Sequence, residues 1–209
     1  MSINLSLLIC TIEGREEQFF SLYRNLNQQI QEFKENNQVE ILFISDNKEI
    51  SIGEKRQKLL LQAKGKFVCW VDDDDTVPIN YVRRINQVII QNPNIDCIGI
   101  KGVRITDNKV YENWACSTKY IWTNNVDNYS YVHYIDHLCP VLREHALAAG
   151  FPFGSLGEDF HYSMRLKALN VLKNEYFINQ VLYTYNYISP KSQDEIKAKY
   201  GPWGLNHQL

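Results

Sequence analysis

Short apolar runs alternate with segments of helical periodicity in the first half of the chain, and this alternation limits the fold more than any other feature. The apolar runs, which predict strands, lie at residues 5–10, 39–44, 67–71 and 95–100. The segments with one apolar face, which predict helices, lie at residues 16–33, 53–63 and 79–91. Strands and helices that alternate over such short connections predict an α/β fold with a parallel, doubly wound sheet.

The second half of the chain is less regular. Residues 103–106 and 109–114 flank Asp107-Asn108, a pair typical of a hairpin turn, and residues 116–131 are polar and aromatic, which predicts a long loop. The remaining predicted elements are a strand at 138–142, a helix at 144–149, a glycine-rich loop at 150–157, a helix at 160–169, a strand at 181–187 and a helix after residue 191.

Length and charge limit the class of protein. A chain of 209 residues, 44% of them hydrophobic, suits one compact domain with a sizeable core rather than two full domains. The formal net charge of -2 excludes the overall basic field that is typical of nucleic-acid-binding proteins.

The cysteines and the apolar runs bear on location. The five cysteines form no CxxC pair and are odd in number, which indicates a reducing compartment. The first residues lack a basic segment, and no apolar stretch approaches the ~18 residues of a membrane span. We therefore expect a cytoplasmic protein without a signal peptide or transmembrane segment.

Four consecutive aspartates, Asp72 to Asp75, follow the predicted strand at residues 67–71. Ligands of such sheets bind beyond the carboxyl ends of the strands, where residues 11–15 and 45–47 are also expected. Adjacent carboxylates raise the cost of ionising one another, and a divalent cation that prefers oxygen ligands removes that cost. A solvated acidic turn is the alternative interpretation.

The residues around the aspartates carry a family pattern. Arg56, Ala63, Gly65 and Phe67 precede the Asp72–Asp75 cluster at offsets that resemble those of the family-2 nucleotide-sugar glycosyltransferases of the GT-A fold. Further blocks agree with that family in order; they lie at residues 40–47, 140–143, 150–153, 157–159 and 164–166. The resemblance covers nearly residues 5–187.

The resemblance implies a single GT-A domain, Rossmann-like and of the nucleotide-diphospho-sugar transferase type, with a mostly parallel central sheet flanked by helices. This domain would cover residues 1–190, with a nucleotide-sugar-binding half at 1–100 and an acceptor-side half at 101–190. Residues 191–209 would form a C-terminal helix and tail.

The resemblance also implies a metal, Mn²⁺ or Mg²⁺, that bridges the donor diphosphate and acts as a Lewis acid. Asp74 would be its direct ligand, and Asp72 would reach the metal through water or contact the ribose. Asp75 is either a further ligand or the cap of the next helix. Asp73 is grouped with the donor-binding residues because it lies within the cluster. The alternative, which we favour for this residue, is that its side chain is solvated at the surface.

Four residues are expected by resemblance to form the nucleoside pocket. Asp46 can accept a hydrogen bond from the N3–H of uracil, and Arg56 can stack on the same base, with Thr11 and Glu13 beside them. The alternatives are an ordinary turn residue for Asp46 and an exposed helix charge for Arg56. The first loop departs from the family pattern, and Ile12 stands where base stacking would otherwise be expected.

Asp159 is the candidate general base of an inverting transfer, which needs a carboxylate near the acceptor hydroxyl. Glu158 would share this role or orient the acceptor. The alternative is that both carboxylates only favour a helix N-terminus through its dipole.

Histidines and aromatic residues complete the candidates. Asn186 stands where many relatives carry a histidine that touches the metal or the diphosphate, and His207 can replace that ligand if the tail folds back. His133 and His137 flank Asp136 without a third zinc ligand at suitable spacing, so a structural or acceptor-contacting role is expected for them. Trp114, Tyr120 and Trp122 either stack on a sugar or a base or pack in the protein.

The sequence therefore predicts a metal-dependent, inverting glycosyltransferase, a hexosyl- or pentosyltransferase that takes a UDP-sugar. The acceptor hydroxyl can belong to a glycan, a protein, a lipid-linked glycan or a modified nucleic-acid base. The alternatives are a transferase or pyrophosphorylase-like protein that uses another nucleotide sugar, and a non-catalytic sugar-nucleotide or glycan-binding module.

Overall fold

The computed structural model describes residues 3–32, 38–106 and 110–187. The strands are β1 (Leu5–Ile12), β2 (Val39–Asp46), β3 (Phe67–Trp70), β4 (Cys97–Thr106), β5 (Val110–Cys116), β6 (Thr123–Val126), β7 (Tyr129–His133), β8 (Val141–Leu142) and β9 (Glu175–Tyr187). The helices are α1 (Glu16–Gln31), α2 (Ile52–Gln62), α3 (Tyr81–Gln91), α4 (Arg143–Ala149) and α5 (Glu158–Leu169).

One sheet organises the molecule, in the strand order β2-β1-β3-β8-β4-β5-β7-β6, and β9 pairs with β4. Strands β2, β1 and β3 are parallel to one another. Strand β8 joins this parallel part to β4 through antiparallel pairing on both of its sides. Strand β9 runs parallel to β4, and β5 runs parallel to β7.

The hydrophobic core lies at the parallel part of the sheet. Strand β3 and nearly all of β1 are buried, as expected for strands covered on both faces. Helix α1 contacts α3, whereas α2, α4 and α5 contact one another, so two groups of helices flank the sheet. The predicted α/β fold with a central sheet between helices is therefore confirmed.

The long loop predicted at residues 116–131 is wrong, because this segment contributes β6 and part of β7. These two strands pair around Asp127-Asn128, whose φ angles of 51° and 66° lie in the left-handed region. Asn and Asp tolerate that conformation better than most residues, because their short polar side chains can bond locally. Strand β6 is mostly exposed and has no apolar alternation, which explains why periodicity did not find it.

The other elements predicted for the described residues are present, but the strands predicted at 95–100 and 103–106 form the single strand β4, and β9 begins six residues before the predicted start at 181. The predicted hairpin around Asp107-Asn108 is confirmed by the pairing of Thr106 with Val110, although residues 107–109 lie outside the described chain. Helix α3 begins at Tyr81 with Asn80 in the cap position, so the proposed capping role of Asp75 is wrong. The predicted tail helix and His207 also lie outside the described residues. In the described chain no helix combines the length and apolarity of a membrane span.

Candidate active site

The site forms where three parallel strands end together. Strand β1 pairs residue by residue with β2 up to Ile12 and Asp46, and with β3 up to Leu8 and Trp70. Its register therefore brings Thr11, Asp46 and the start of the aspartate cluster to one edge of the sheet, as the sequence predicts.

Arg56 lies at the centre of this edge and is buried, with 4% of its surface exposed. Its Nη1 donates to Oε1 of Glu158 at 2.7 Å, and its Nη2 donates to Oδ1 of Asp72 at 3.0 Å. The guanidinium also lies 5.9 Å from the ring centroid of Phe151. The interpretation of Arg56 as an exposed helix charge is wrong, because α2 turns this residue inward. Both terminal nitrogens of the guanidinium already contact carboxylates. The structure therefore does not support the expected stacking of Arg56 on a base.

The charges of this group depend on one another. Burial alone would lower the pKa of Arg56, but Asp72 and Glu158 outweigh burial and raise it. Burial alone would raise the pKa of Asp72, but Arg56 and His137 hold it well below its usual range. The pKa of Glu158 is raised by burial, which Arg56 only partly offsets. Arg56 therefore links an ionised Asp72 to a carboxyl group on a different element.

His137 joins the same group, and sequence reasoning did not place it there. Its Nε2 lies 3.0 Å from Nη2 of Arg56 and 3.3 Å from Oδ2 of Asp72. Burial and Arg56 lower the pKa of His137, whereas Asp72 outweighs them and raises it. The neighbouring His133 instead contacts Asp136, with 3.4 Å between Nδ1 and Oδ2. The two histidines therefore face different partners.

Asp73 is buried, so its interpretation as solvated surface is wrong. Its carboxylate accepts hydrogen bonds from Oγ1 of Thr11 and from Nη1 of Arg15, each at 2.7 Å. Arg15 also lies 2.9 Å from Oδ2 of Asp74. Arg15 therefore ties the loop after β1 to the aspartate cluster, and no motif in the sequence identified it.

Asp74 and Asp75 differ in exposure and in role. The side chain of Asp74 is 42% exposed, whereas Asp75 is buried and accepts a hydrogen bond from the backbone N–H of Asn186 at 2.8 Å. Burial and the neighbouring Asp72 raise the pKa of Asp75 to about 8. The side chain of Asn186 donates to the carbonyl oxygen of Asp74 at 3.1 Å. Asn186 on strand β9 thus hydrogen-bonds to two residues of the aspartate cluster, and it lies beside the cluster as the sequence predicts.

The donor set at this edge suits a hard divalent cation. Asp72 and Asp74 both present partly exposed carboxylate oxygens, the ligands that Mg²⁺ and Mn²⁺ prefer. Burial raises the pKa of Asp74 more than Arg15 lowers it. The negative charge of Asp74 is therefore only partly compensated by the protein, and a bound cation would stabilise it. A second group, Cys116, Asp136 and Cys139, has its ligand atoms within 4.8 Å of one another. Burial raises the pKa values of both thiols, and sulfur does not suit a hard cation.

Asp46 is held by Lys55, which sequence reasoning missed. The ammonium of Lys55 contacts Oδ1 of Asp46 and donates to the carbonyl oxygen of Thr11 at 3.0 Å. The N–H of Ile50 donates to Oδ2 of Asp46 at 3.0 Å, which is a local turn contact. Burial alone would raise the pKa of Asp46, but these two donors lower it. Glu13 is exposed, and its N–H donates to the carbonyl oxygen of Asp46 at 3.0 Å.

Asp159 lies in the first turn of α5 and lines a cavity of about 700 Å³. Asp72, Arg56 and His137 line the same cavity. The Asp159 carboxylate accepts a hydrogen bond from the N–H of the next residue, at 2.7 Å to Oδ1. Glu158 is buried against Arg56 instead. The structure therefore brings Asp72, Asp75 and Asp159 to one cavity, although Asp159 is far from the other two in the sequence, whereas Asp74 lines a neighbouring cavity.

Comparison with known proteins identifies the family and the fold of the chain. The family model described as Glycosyl transferase family 2 matches residues 21–147. A structure of S. aureus TarS 1-349 in complex with UDP-GlcNAc is 15% identical, with a TM-score of 0.62, and the match covers 92% of this chain and 61% of that chain. A structure of S. aureus TarS 1-349 in complex with UDP is 14% identical, with a TM-score of 0.59, and the match covers 88% of this chain and 60% of that chain.

At this level of identity the likeness to TarS concerns the fold, and it confirms the expected single GT-A domain. The chain spans about three fifths of the length of these TarS structures. A comparison with curated protein sequences found no match.

Proposed function

The chain belongs to glycosyl transferase family 2, and on this premise we propose that it moves a sugar from a UDP-sugar to a hydroxyl acceptor with inversion. The observation that carries the proposal is the shared cavity, into which Asp72 and Asp159 open from opposite parts of the chain. We assign donor binding to residues 1–100 and acceptor binding to residues 101–190. The TarS structures with UDP-GlcNAc and UDP support the choice of a uridine nucleotide.

In this proposal, the nucleoside lies against Thr11, Glu13 and Asp46. An ionised carboxylate has about four lone-pair sites, so Asp46 can accept from uracil N3–H while Lys55 and Ile50 keep their bonds to it. Lys55 holds the carboxylate in place and keeps it ionised. Arg56 has a different role from the one expected from the sequence, because it positions Asp72 and Glu158 rather than the base.

Asp74 and Asp72 are the residues that would hold Mn²⁺ or Mg²⁺ in this proposal. When bound, the metal would supply Lewis-acid stabilisation of the charge on the leaving diphosphate. Arg15 and Arg56 hold the two carboxylates at the edge of the sheet before any ligand arrives. Such positioning in advance reduces the reorganisation that the reaction requires.

We assign the general base to Asp159. As the acceptor oxygen attacks the anomeric carbon, the bond from that carbon to the diphosphate oxygen breaks, and Asp159 takes the hydroxyl proton. Glu158 is buried in its pair with Arg56, so we assign it a positioning role rather than the alternative role as base. A sugar-nucleotide-binding module has no need of a carboxylate such as Asp159 in this cavity, which argues against the non-catalytic alternative.

The test is the release of nucleotide from UDP-, GDP-, dTDP- and CDP-sugars without acceptor, with Mn²⁺ or with EDTA. We expect metal-dependent release from a UDP-sugar, and we expect Asp74→Ala to abolish it. Release that is equal in EDTA would refute the metal assignment, and release from another class of donor alone would refute the choice of UDP.

A second arm tests the base. Asp159→Asn should slow transfer to an acceptor by about 10² to 10⁴-fold while leaving donor affinity intact, because general-base catalysis contributes about that much. Asp127→Asn, at the exposed turn between β6 and β7, is the matched control and should transfer at the normal rate. Unchanged transfer by Asp159→Asn would contradict the assignment.

A further inference from the structure

A row of flat rings lines the acceptor side of the cavity. Trp122 stacks on His133, with 4.4 Å between ring centroids and 17° between planes, and Trp114 continues the row 5.8 Å beyond His133. Trp114 is 1% exposed, whereas Trp122 is 40% exposed and lines the cavity. Trp122 therefore packs on His133 with one face and presents an aromatic surface to the cavity.

This surface lines the same cavity as the proposed base. Trp122 contacts Phe160, with 5.8 Å between ring centroids, and Phe160 directly follows Asp159 in α5. Trp122 and Asp159 both line the cavity. A ring that lies on Trp122 can therefore present a hydroxyl group toward the carboxylate.

The charges on the acceptor side of the cavity disfavour an anionic acceptor. Arg104 forms an ion pair with Glu112, and Arg56 forms ion pairs with Asp72 and Glu158. Each arginine among the described lining residues is thus already neutralised by the chain, whereas Asp159 adds negative charge beside Trp122. The phosphate groups of a charged acceptor or a nucleic-acid backbone need cations that are free to bind them, so the part of the cavity near Trp122, away from the proposed metal ligands, does not suit such acceptors.

The remaining wall near Trp122 is polar and uncharged. Thr123, Asn124, Asn125 and Ser130 line it from strands β6 and β7 and the ends of their hairpin. Amide and hydroxyl side chains both donate and accept hydrogen bonds, which matches the hydroxyl groups of a carbohydrate. Pockets for small ligands commonly combine an apolar surface with a few such groups.

We propose that the acceptor is an uncharged saccharide whose ring stacks on Trp122, with hydroxyl groups bound by the amide and hydroxyl wall and one hydroxyl directed to Asp159. This inference rests on the proposed transferase function. It selects a glycan from the possible acceptors and excludes phosphate-bearing ones, including a modified base in a nucleic acid.

The test uses the full chain with Mn²⁺, UDP-GlcNAc as donor, and a panel of acceptors. The panel contains uncharged methyl hexosides, N-acetylhexosaminides and short oligosaccharides, each beside its 6-phosphate or uronic acid counterpart, and single-stranded oligonucleotides. We expect product only from uncharged members. Equal or better use of a phosphorylated, carboxylated or nucleic-acid acceptor would overturn the inference, as would a panel without any accepted member when the chain does hydrolyse the donor.

Variants test the role of Trp122 itself. Trp122→Ala should raise the KM for the uncharged saccharide by about tenfold, more than it lowers kcat, because ring stacking contributes to binding. Trp122→Phe should restore most of the affinity. Tyr111→Ala, an exposed aromatic position elsewhere on β5, is the control and should leave KM unchanged. An unchanged KM in Trp122→Ala would overturn the inference.

Binding without turnover separates this inference from the function on which it rests. Saturation-transfer NMR with the same uncharged saccharides reports whether they contact the chain, and whether Trp122→Ala removes that contact. Retained saccharide binding without donor hydrolysis would refute the transferase proposal but support the saccharide site. Donor hydrolysis without saccharide binding would overturn the saccharide site alone.

Discussion

The proposed donor side and the proposed acceptor side of the site are organised by different interactions. On the donor side, Arg15, Lys55 and Arg56 each pair with carboxylates at the ends of β2 and β3 or at the start of α5. On the acceptor side, a row of stacked rings and an uncharged polar wall line the cavity. Ion pairs fix the positions of the charged groups on the donor side. The acceptor side instead provides a flat aromatic surface and uncharged hydrogen-bonding groups.

This difference has a structural origin. The donor side is built on parallel strands whose carboxyl ends meet at one edge, so polar residues after each strand converge. The proposed acceptor side contains two hairpins, β4-β5 and β6-β7, and Trp114 of β5 stacks on Tyr131, its partner on the parallel strand β7. Ion pairs fix the first arrangement, and strand register fixes the second.

The largest expected effect tests the ion pairs. Arg56→Met should lower the free energy of unfolding by about 3 kcal/mol, because it leaves Glu158 and Asp72 without the buried partner that compensates them. Urea unfolding measures this change. Lys58→Met, an exposed lysine on the same helix, is the control and should change stability by less than about 0.5 kcal/mol. Equal effects of the two variants would show that the donor side does not depend on Arg56.

The contact between the two sides can be tested at Gly53. Its N–H donates to the carbonyl oxygen of Gly154 at 2.9 Å, and a Cβ at this position would lie 2.1 Å from the carbonyl oxygen of Pro152. We expect Gly53→Ala to destabilise the protein by about 2 kcal/mol, because the backbone of the 150–157 loop must move. Thermal and urea unfolding measure the change.

Gly154→Ala is the matched control for that variant, because a Cβ at Gly154 would have no neighbouring atom within 4 Å. We expect its stability to remain close to that of the natural chain. If the Gly53→Ala protein were as stable as the Gly154→Ala protein, helix α2 and the 150–157 loop could move apart here without loss of stability, which would contradict the prediction.

The acceptor side can be tested at the turn between its hairpin strands. Asn128 has a φ of 66°, and a β-branched residue there costs about 1 kcal/mol or more. We expect Asn128→Val to destabilise the protein by about that amount, whereas Asn128→Gly should be neutral within a few tenths, since glycine adopts this conformation freely. Unfolding measurements on both variants compare them. A Val variant as stable as the Gly variant would contradict a turn fixed by backbone conformation.

The smallest expected effect concerns pH. The pKa of Asp46 is lowered in the folded protein, so its contribution to stability is present above its unfolded pKa of about 4 and is lost as the pH falls through the folded value. Asp46→Asn should therefore have a shallower loss of stability below about pH 4 than the natural chain. Unfolding curves between neutral and acidic pH measure this slope. Identical slopes would show that the pair with Lys55 does not contribute.

The sequence predicted the donor side well because its signals are local. Apolar periodicity located β1, β2, β3 and their helices to within a few residues, and parallel topology then placed Thr11, Asp46 and Asp72 at one edge. The prediction of a loop at 116–131 failed because β6 is held by pairing with β7 rather than by its own apolar pattern.

Within the site, sequence reasoning identified the carboxylates but not their partners. Asp73 was interpreted as surface and is buried, because Thr11 and Arg15 reach it from another strand end. His137 and Lys55 carry no motif, and their contacts with Asp72 and Asp46 depend on chain segments that are distant in sequence. The roles assigned to Asp159 and Asp74 remain predictions.

The sequence by itself determined the order of strands and helices in the first half of the chain, the family, and the clustering of carboxylates at a strand end, because each depends on neighbouring residues or fixed offsets. Only the tertiary structure decided which charges neutralise one another and which remain open to a ligand. Ion pairs such as Arg56 with Glu158 join residues far apart in the chain. Their energy depends on burial and distance, and the fold alone sets those two quantities.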